Sequence, residues 1–206
     1  AWAYAPPADA SAPGPLPCAA AGRPVRFGCF NNLTKINDSL LALWGRVLAA
    51  VPNSQLVLKG RGLSDATVRQ RYERRFAAAG IPLDRIDLLE RTAETSAHLA
   101  LYNDVDISLD SSPYNGTTTT CESLWMGVPV VALLGDRHAA RVSASLLQAA
   151  GHPEWIAATA DDYVRIATRL ATDPVALAAI RAGLRDKVRA SVLLDHAGQS
   201  ARFGAA

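Results

Sequence analysis

The sequence predicts an α/β fold: a Rossmann-like three-layer α/β/α domain built on a parallel sheet. Three observations predict it. Short apolar runs recur at residues 25–30, 55–59, 85–89, 105–109 and 128–134, each followed by a stretch with helical spacing. The runs are apolar without alternation, as in strands buried on both faces. Strand and helix alternate five or six times, which gives a parallel sheet between helical layers. With 206 residues, 50% of them hydrophobic and 19% charged, one sizeable core can be buried.

Six of the twelve prolines fall in residues 1–24. This stretch reads as a Pro-rich linker, or as an arm that packs on a neighbouring domain with Trp2 and Tyr4 as anchors. After the strand at 25–30 comes a loop, Asn31-Asn32-Leu33-Thr34-Lys35. Asn37 or Asp38 caps a helix with Leu40, Trp44, Val47, Leu48 and Val51 on its apolar face. The strand at 55–59 closes on Gly60-Arg61-Gly62, and Ser64 is the expected cap of a helix packed through Val68, Tyr72 and Phe76. Arg69, Arg71, Arg74 and Arg75 read as its solvated face; a nucleic-acid patch is the lesser reading.

Beyond the strand at 85–89, a short helix at 96–102 carries His98. The strand at 105–109 leads through Asp110-Ser111-Ser112-Pro113-Tyr114 into a threonine-rich loop. A helix is expected at 118–126, a strand at 128–134, a helix at 139–150 and a short strand at 155–157. Thr159 and Asp162 form a capping-box pattern for a helix buried through Tyr163, Ile166 and Leu170. Asp173-Pro174 opens the last long helix, with Leu177, Ile180, Leu184 and Val188 in register. The tail, 197–206, is too short to assign. There are no internal repeats.

In such a sheet ligands bind beyond the C-terminal strand ends, where the strand order reverses. The loops after the first, third and fourth strands lie on that edge. The sharpest stretch there is 115–131. Asn115-Gly116 turns the chain, Thr117, Thr118 and Thr119 lead into a helix, and Glu122 follows one turn in. Free first-turn N–H groups, the helix dipole and adjacent hydroxyls suit a phosphate, and Glu122 suits a neighbouring sugar hydroxyl. The competing reading is a capped helix without a ligand. Lys35, just after the first strand, can neutralise a diphosphate or sit on the surface. Asn32 can donate an amide to the same group. His98 can stack on or hydrogen-bond a base; a structural histidine is the plainer reading.

Composition and motifs exclude other classes. A formal net charge of +2 does not argue for nucleic acid or an anionic membrane. No run approaches a bilayer span, and no signal peptide is visible, although the first residue is not Met. No G-x-G-x-x-G follows the first strand and no Walker A motif occurs, so NAD binding and P-loop hydrolysis lose support. Cys18, Cys29 and Cys121 form no C-x-x-C, which fits a reducing, cytoplasmic setting and speaks against structural zinc. Asp104-Val105-Asp106 is a D-x-D pair at the wrong end of its strand for a diphosphate-bound cation. Cys121 has no evident partner as a nucleophile.

Taken together, Phe30-Asn31-Asn32-Leu33-Thr34-Lys35-Ile36, Val51-Pro52-Asn53-Ser54, Leu109-Asp110, Asn115-Gly116-Thr117-Thr118-Thr119 and Leu124-Trp125-Met126-Gly127-Val128-Pro129 resemble the O-GlcNAc transferase and SPINDLY family. The match is to the C-terminal half of its catalytic region. It covers roughly residues 25–190. The resemblance implies the donor-binding half of a GT-B glycosyltransferase, with residues 25–196 as the nucleotide-sugar-binding domain. It implies inverting transfer of GlcNAc from UDP-GlcNAc to Ser or Thr hydroxyls of proteins, without a metal or other cofactor. SPINDLY-type members use GDP-fucose instead. It also implies a missing N-terminal partner domain, and TPR repeats upstream would favour protein acceptors.

Carried over by position, Lys35 matches the catalytic lysine on the diphosphate, and Asn32 stands where animal members have glutamine. His98 matches a histidine near the uracil. Thr118 and Thr119 match the pair on the phosphates, and Glu122 stands for an aspartate on the ribose. The sequence departs at Thr117, where animal members have histidine, and at Thr95 and Leu101, where they have cations flanking the base. Two rivals remain: another GT-B transferase with a different acceptor, and a non-catalytic interaction module.

Overall fold

The computed structural model describes residues 3–204. Among them are six strands in one sheet: β1 (Arg26–Cys29), β2 (Gln55–Gly60), β3 (Ile86–Glu90), β4 (Ile107–Leu109), β5 (Val130–Leu133) and β6 (Ile156–Ala157). The order is β3-β2-β1-β4-β5-β6, every pair parallel, with Phe27 opposite both Leu56 and Ile107. Parallel neighbours need crossovers, and helices supply them: α1 (Asp38–Ala50), α2 (Ala66–Ala78), α3 (Thr95–Ala100), α4 (Thr118–Trp125) and α5 (Val142–Ala149); α6 (Ala160–Ala171), α7 (Pro174–Ala190) and α8 (His196–Gly204) follow the last strand. The strand order reverses between β1 and β4, so the loops leaving these strands diverge and open a crevice at their C-terminal ends.

The caps are largely where local chemistry puts them. Asn37 accepts from the Leu40 N–H, Thr159 from that of Asp162 and Asp173 from that of Ala176. Gly127 ends the turn after α4 at φ +76°, and a Cβ there would meet the Arg181 carbonyl at 2.8 Å. The α2 cap is different from expectation. Asp65, not Ser64, accepts from the Thr67 and Val68 N–H groups, because Ser64 donates its N–H and hydroxyl to Glu90. On α2 only Phe76 is fully buried, Val68 and Tyr72 being half-covered.

Several strands are shorter than their apolar runs. Arg85 leaves β3 because its guanidinium donates to the carbonyls of Leu48, Val51 and Ser54 at the end of α1. Val105 follows a 3-10 turn, Leu101–Asp104, and Val128 is held by the Ser123 carbonyl. The helix expected over 139–150 starts as a separate 3-10 turn, His138–Ala140. The tail, unassigned from sequence, forms α8.

The arm does not need a neighbouring domain to pack on. Tyr4 and Leu16 are buried in this domain's own core, and the Tyr4 N–H donates to the Leu193 carbonyl. Arg181 and Arg185 of α7 donate to the carbonyls of Gly14 and Ser11. The expected second anchor, Trp2, lies outside the described residues. No helix among the described residues is long and apolar enough to cross a membrane.

Candidate functional site

A cleft of about 520 Å³ opens at the C-terminal edge of β1, β2 and β3, roofed by α3 and the start of α4. Next to it, at the switch point, the loops after β1 and β4 are tied together. Asp110, directly after β4, is fully buried. Its Oδ1 accepts from Asn31 Nδ2 at 3.0 Å and from the Gly116 N–H at 2.8 Å, while Oδ2 has no partner among the described residues. Burial lifts its pKa above the usual carboxylate range, against the nearby Ser143 hydroxyl and the hydrogen bonds from Gly116 and Asn31. Asn31 in turn accepts from Thr119 Oγ1 at 2.7 Å, so the loop after β1 is tied to the first turn of α4. From behind, the Tyr163 hydroxyl donates to the Asp110 carbonyl and takes a long bond from Trp44 Nε1. Gly116 is the residue this packing requires: a Cβ there would lie 2.6 Å from Thr119 Oγ1 and 2.7 Å from Thr120 Oγ1.

Among the described residues no side chain caps α4, and its lead residue Thr117 has φ −126° and ψ −77°. Its first-turn N–H groups therefore keep the positive end of the helix free of a side-chain acceptor. Two serines fix the helix in place: Ser123 Oγ lies 2.6 Å from Ser108 Oγ and donates to the Val128 carbonyl, and Ser143 Oγ donates to the Gly116 carbonyl.

Three ionisable side chains cross the cleft in a row. Lys59, the buried penultimate residue of β2, donates to Thr92 Oγ1 at 3.0 Å and is hydrogen-bonded to His98 Nδ1. His98 Nε2 lies 3.0 Å from Glu122 Oε2. Phe30 and Tyr102 pack on the imidazole, with ring centroids 5.8 and 5.6 Å away. Burial draws the Lys59 pKa down to about 8, with Glu122 opposing. Arg61 and Arg91 add charge on the outer wall. The loops that carry them are clamped by Glu90, which accepts from the N–H groups of Gly62, Ser64 and Arg91. Those donors hold its carboxyl down at about 2.

The chain matches the profile of glycosyl transferase family 41 over residues 20–201. It belongs to that family. A relative, described as a probable UDP-N-acetylglucosamine–peptide N-acetylglucosaminyltransferase SPINDLY of Arabidopsis thaliana, is 43% identical over 188 residues, covering 91% of this chain and 20% of the plant protein. A solved structure of a mutant O-GlcNAc transferase of Thermobaculum terrenum superposes with a TM-score of 0.86 at 40% identity, covering 97% of this chain and 37% of that one. The C-terminal domain of a glycosyl transferase group 1 protein, LpcC of Francisella tularensis, is 15% identical with a TM-score of 0.57, covering 81% and 85% respectively; this likeness is one of fold. The chain spans about a fifth of the length of the curated relatives it matches.

Of the residues that the family-41 resemblance singles out, Asn32, His98, Thr118, Thr119 and Glu122 line the cleft together. Lys35 and Thr117 do not line it. The Lys35 ammonium is half-buried, donates to the Asn115 carbonyl at 2.8 Å and lies 4.2 Å from the Tyr114 ring centroid. It therefore sits at the entry to the threonine loop, two residues before Thr117. Burial lowers its pKa, with Asp110 opposing. Asn32 uses its Oδ1 on the N–H and hydroxyl of Thr34, fixing the turn that carries Lys35. Sequence reading gave no role to Asn31, Lys59, Glu90 or Arg91. The available signal for Lys59 was a lysine ending the apolar run Leu56-Val57-Leu58 on the ligand-binding edge.

The remaining candidates have other duties. Asp106 is buried at the opposite edge and accepts from the Cys18 and Arg26 N–H groups, and Asp104 pairs with Arg23. Cys121 is buried, and burial pushes its thiol up to about 12, unsuited to a thiolate nucleophile. Two of the four α2 arginines are not simply solvated: Arg69 donates to the Leu88 carbonyl, and Arg75 to Asp38 and the Ile36 carbonyl.

Proposed function

We propose that this chain is the donor-binding half of an inverting, metal-independent protein O-glycosyltransferase that takes UDP-GlcNAc as donor and Ser or Thr hydroxyls as acceptors. The observation that carries the reading is the meeting, at the switch point, of the uncapped α4 N-terminus with Thr118 and Thr119, the Lys35–Asn115 contact, and the His98–Glu122 pair. A nucleoside diphosphate matches that set: phosphates at the amide-rich turn and Lys35, ribose at Glu122, base towards His98 and Phe30. Departure of a nucleoside diphosphate leaves negative charge, which fixed donors stabilise; loss of one such donor typically raises a barrier by about 3–4 kcal/mol.

In this reading the donors are Lys35 and helix amides, not a divalent cation, because Asp104 and Asp106 are engaged at the far edge of the sheet. The acceptor-side groups belong to an N-terminal partner domain, with TPR repeats as the source of protein selection in a cytoplasmic enzyme. The activity for which the relatives are named supports the UDP-GlcNAc assignment.

A GDP-fucose donor is the second reading, favoured by one observation. Glu94 and Arg91 stand on the same cleft wall, and a carboxylate beside a guanidinium complements the N1–H/N2–H and O6/N7 edges of guanine. Calorimetry with UDP, GDP and UDP-GlcNAc, with and without EDTA, tests both. Binding of UDP-GlcNAc over GDP, unaffected by EDTA, is the expected result. Preference for GDP moves the assignment to the second reading, and no nucleotide binding defeats both.

A further inference from the structure

The row Lys59–His98–Glu122 uses more ionisable groups than a ribose contact needs, and it is assembled from three separate elements: β2, α3 and α4. The hydrogen-bond directions along it are fixed by chemistry. An ammonium has only donors, so His98 Nδ1 must be its acceptor. The imidazole proton then resides on Nε2, which faces Glu122 Oε2 at 3.0 Å and donates to it. We propose that Lys59 is a positioning residue for the donor. It locks His98 in the Nε2–H tautomer, and His98 in turn keeps the Glu122 carboxylate aimed at the donor's ribose hydroxyls. The proposal rests on the donor-site reading above.

The surroundings agree. Lys59 is only 5% exposed and Glu122 9%, so each charge needs the other, and the imidazole bridges them. Thr92 Oγ1 accepts a second Lys59 N–H, which fixes the ammonium. Phe30 and Tyr102 restrict rotation of the ring. The other charged groups on this wall, Arg91 and Glu94 from the β3–α3 connection and Arg61 after β2, are exposed and make no hydrogen bond to the imidazole, so among the described residues the ring answers to Lys59 and Glu122. Without Lys59, His98 can take either tautomer, and Glu122 loses a fixed partner.

The test is nucleotide titration of the 206-residue chain and its Lys59→Met variant with UDP and GDP, and with the 2′,3′-dideoxy forms of both. Imidazole nitrogen NMR of the unliganded proteins runs in parallel, with His98→Gln to assign the His98 signals. The expected result is roughly tenfold weaker binding of ribonucleotide by Lys59→Met, a loss that vanishes with the dideoxy nucleotide. The parent is expected to show a pyridine-type Nδ1 and a protonated Nε2 at His98, and the variant a mixture. Equal weakening of ribo- and dideoxynucleotide, no weakening, or an Nδ1–H tautomer in the parent overturns the role of Lys59. A parent chain that binds no nucleotide overturns the donor-site reading, and the positioning role with it. The tautomer signal separates that failure from a failure of the row itself.

Discussion

The two edges of the sheet carry the same kinds of side chain to opposite ends. At the N-terminal edge, both Asp106 oxygens accept backbone N–H groups, and Arg26 donates to Asp87, Gln55 and the Asp104 carbonyl. At the C-terminal edge, α4 keeps its uncapped first turn, and Lys35 offers two N–H groups beyond the one on Asn115. A saturated charge staples chain segments together. A half-satisfied charge, held rigidly, is one that a ligand can complete. The difference teaches that residue type does not separate groups that staple the fold from groups open to a ligand; remaining hydrogen-bond capacity does.

Asp106→Ala gives the largest expected effect. Two partly buried N–H groups lose their charged acceptor, at about 3 kcal/mol in all. Thermal unfolding should fall by roughly 10 °C, while the folded protein keeps its nucleotide affinity. Weakened nucleotide binding in the folded variant would erase the contrast between the edges. Lys35→Ala should do the reverse. Loss of a charged hydrogen bond to phosphate costs about 2 kcal/mol, read by calorimetry as some thirtyfold weaker UDP binding, with binding of uridine and the melting temperature little changed.

The pH dependence is smaller. Lys59 serves the site in its charged form, and its folded pKa lies below the usual lysine value, at about 8. Its contribution is thus complete well below pH 8 and declines as pH rises through that value, so ribonucleotide affinity should drop severalfold between pH 7 and 9. The Lys59→Met variant should lack that limb; a flat profile in the parent would remove Lys59 from the site. Smallest of all is Arg74→Ala on the exposed face of α2, expected to change stability by under about 0.5 kcal/mol and nucleotide affinity not at all.

Much of the frame was readable from residues alone, since its signals are local. Apolar runs and helical spacing marked each strand and crossover. Asn37, Thr159 and Asp173 cap neighbours three residues on, and Gly127 sits where only a left-handed turn fits. Where local reading slipped, a distant partner had won. Ser64 was drawn to Glu90, 26 positions away, leaving the α2 cap to Asp65. The Pro-rich arm was legible as irregular chain, but its docking on α7 joins positions more than 160 residues apart.

The threonine turn, His98, Glu122 and Asn32 could be nominated from the sequence because strand ends, turn residues and helix starts are short-range patterns. Their convergence on one cleft, the orientation of Lys35 towards Asn115, and the Lys59–His98–Glu122 row were decided by the tertiary structure. Parallel strand order is set by crossovers dozens of residues long, and no local pattern states which loops will share an edge. Remaining hydrogen-bond capacity, which distinguishes Lys35 and the α4 turn from Asp106, exists only once every other donor and acceptor has been placed.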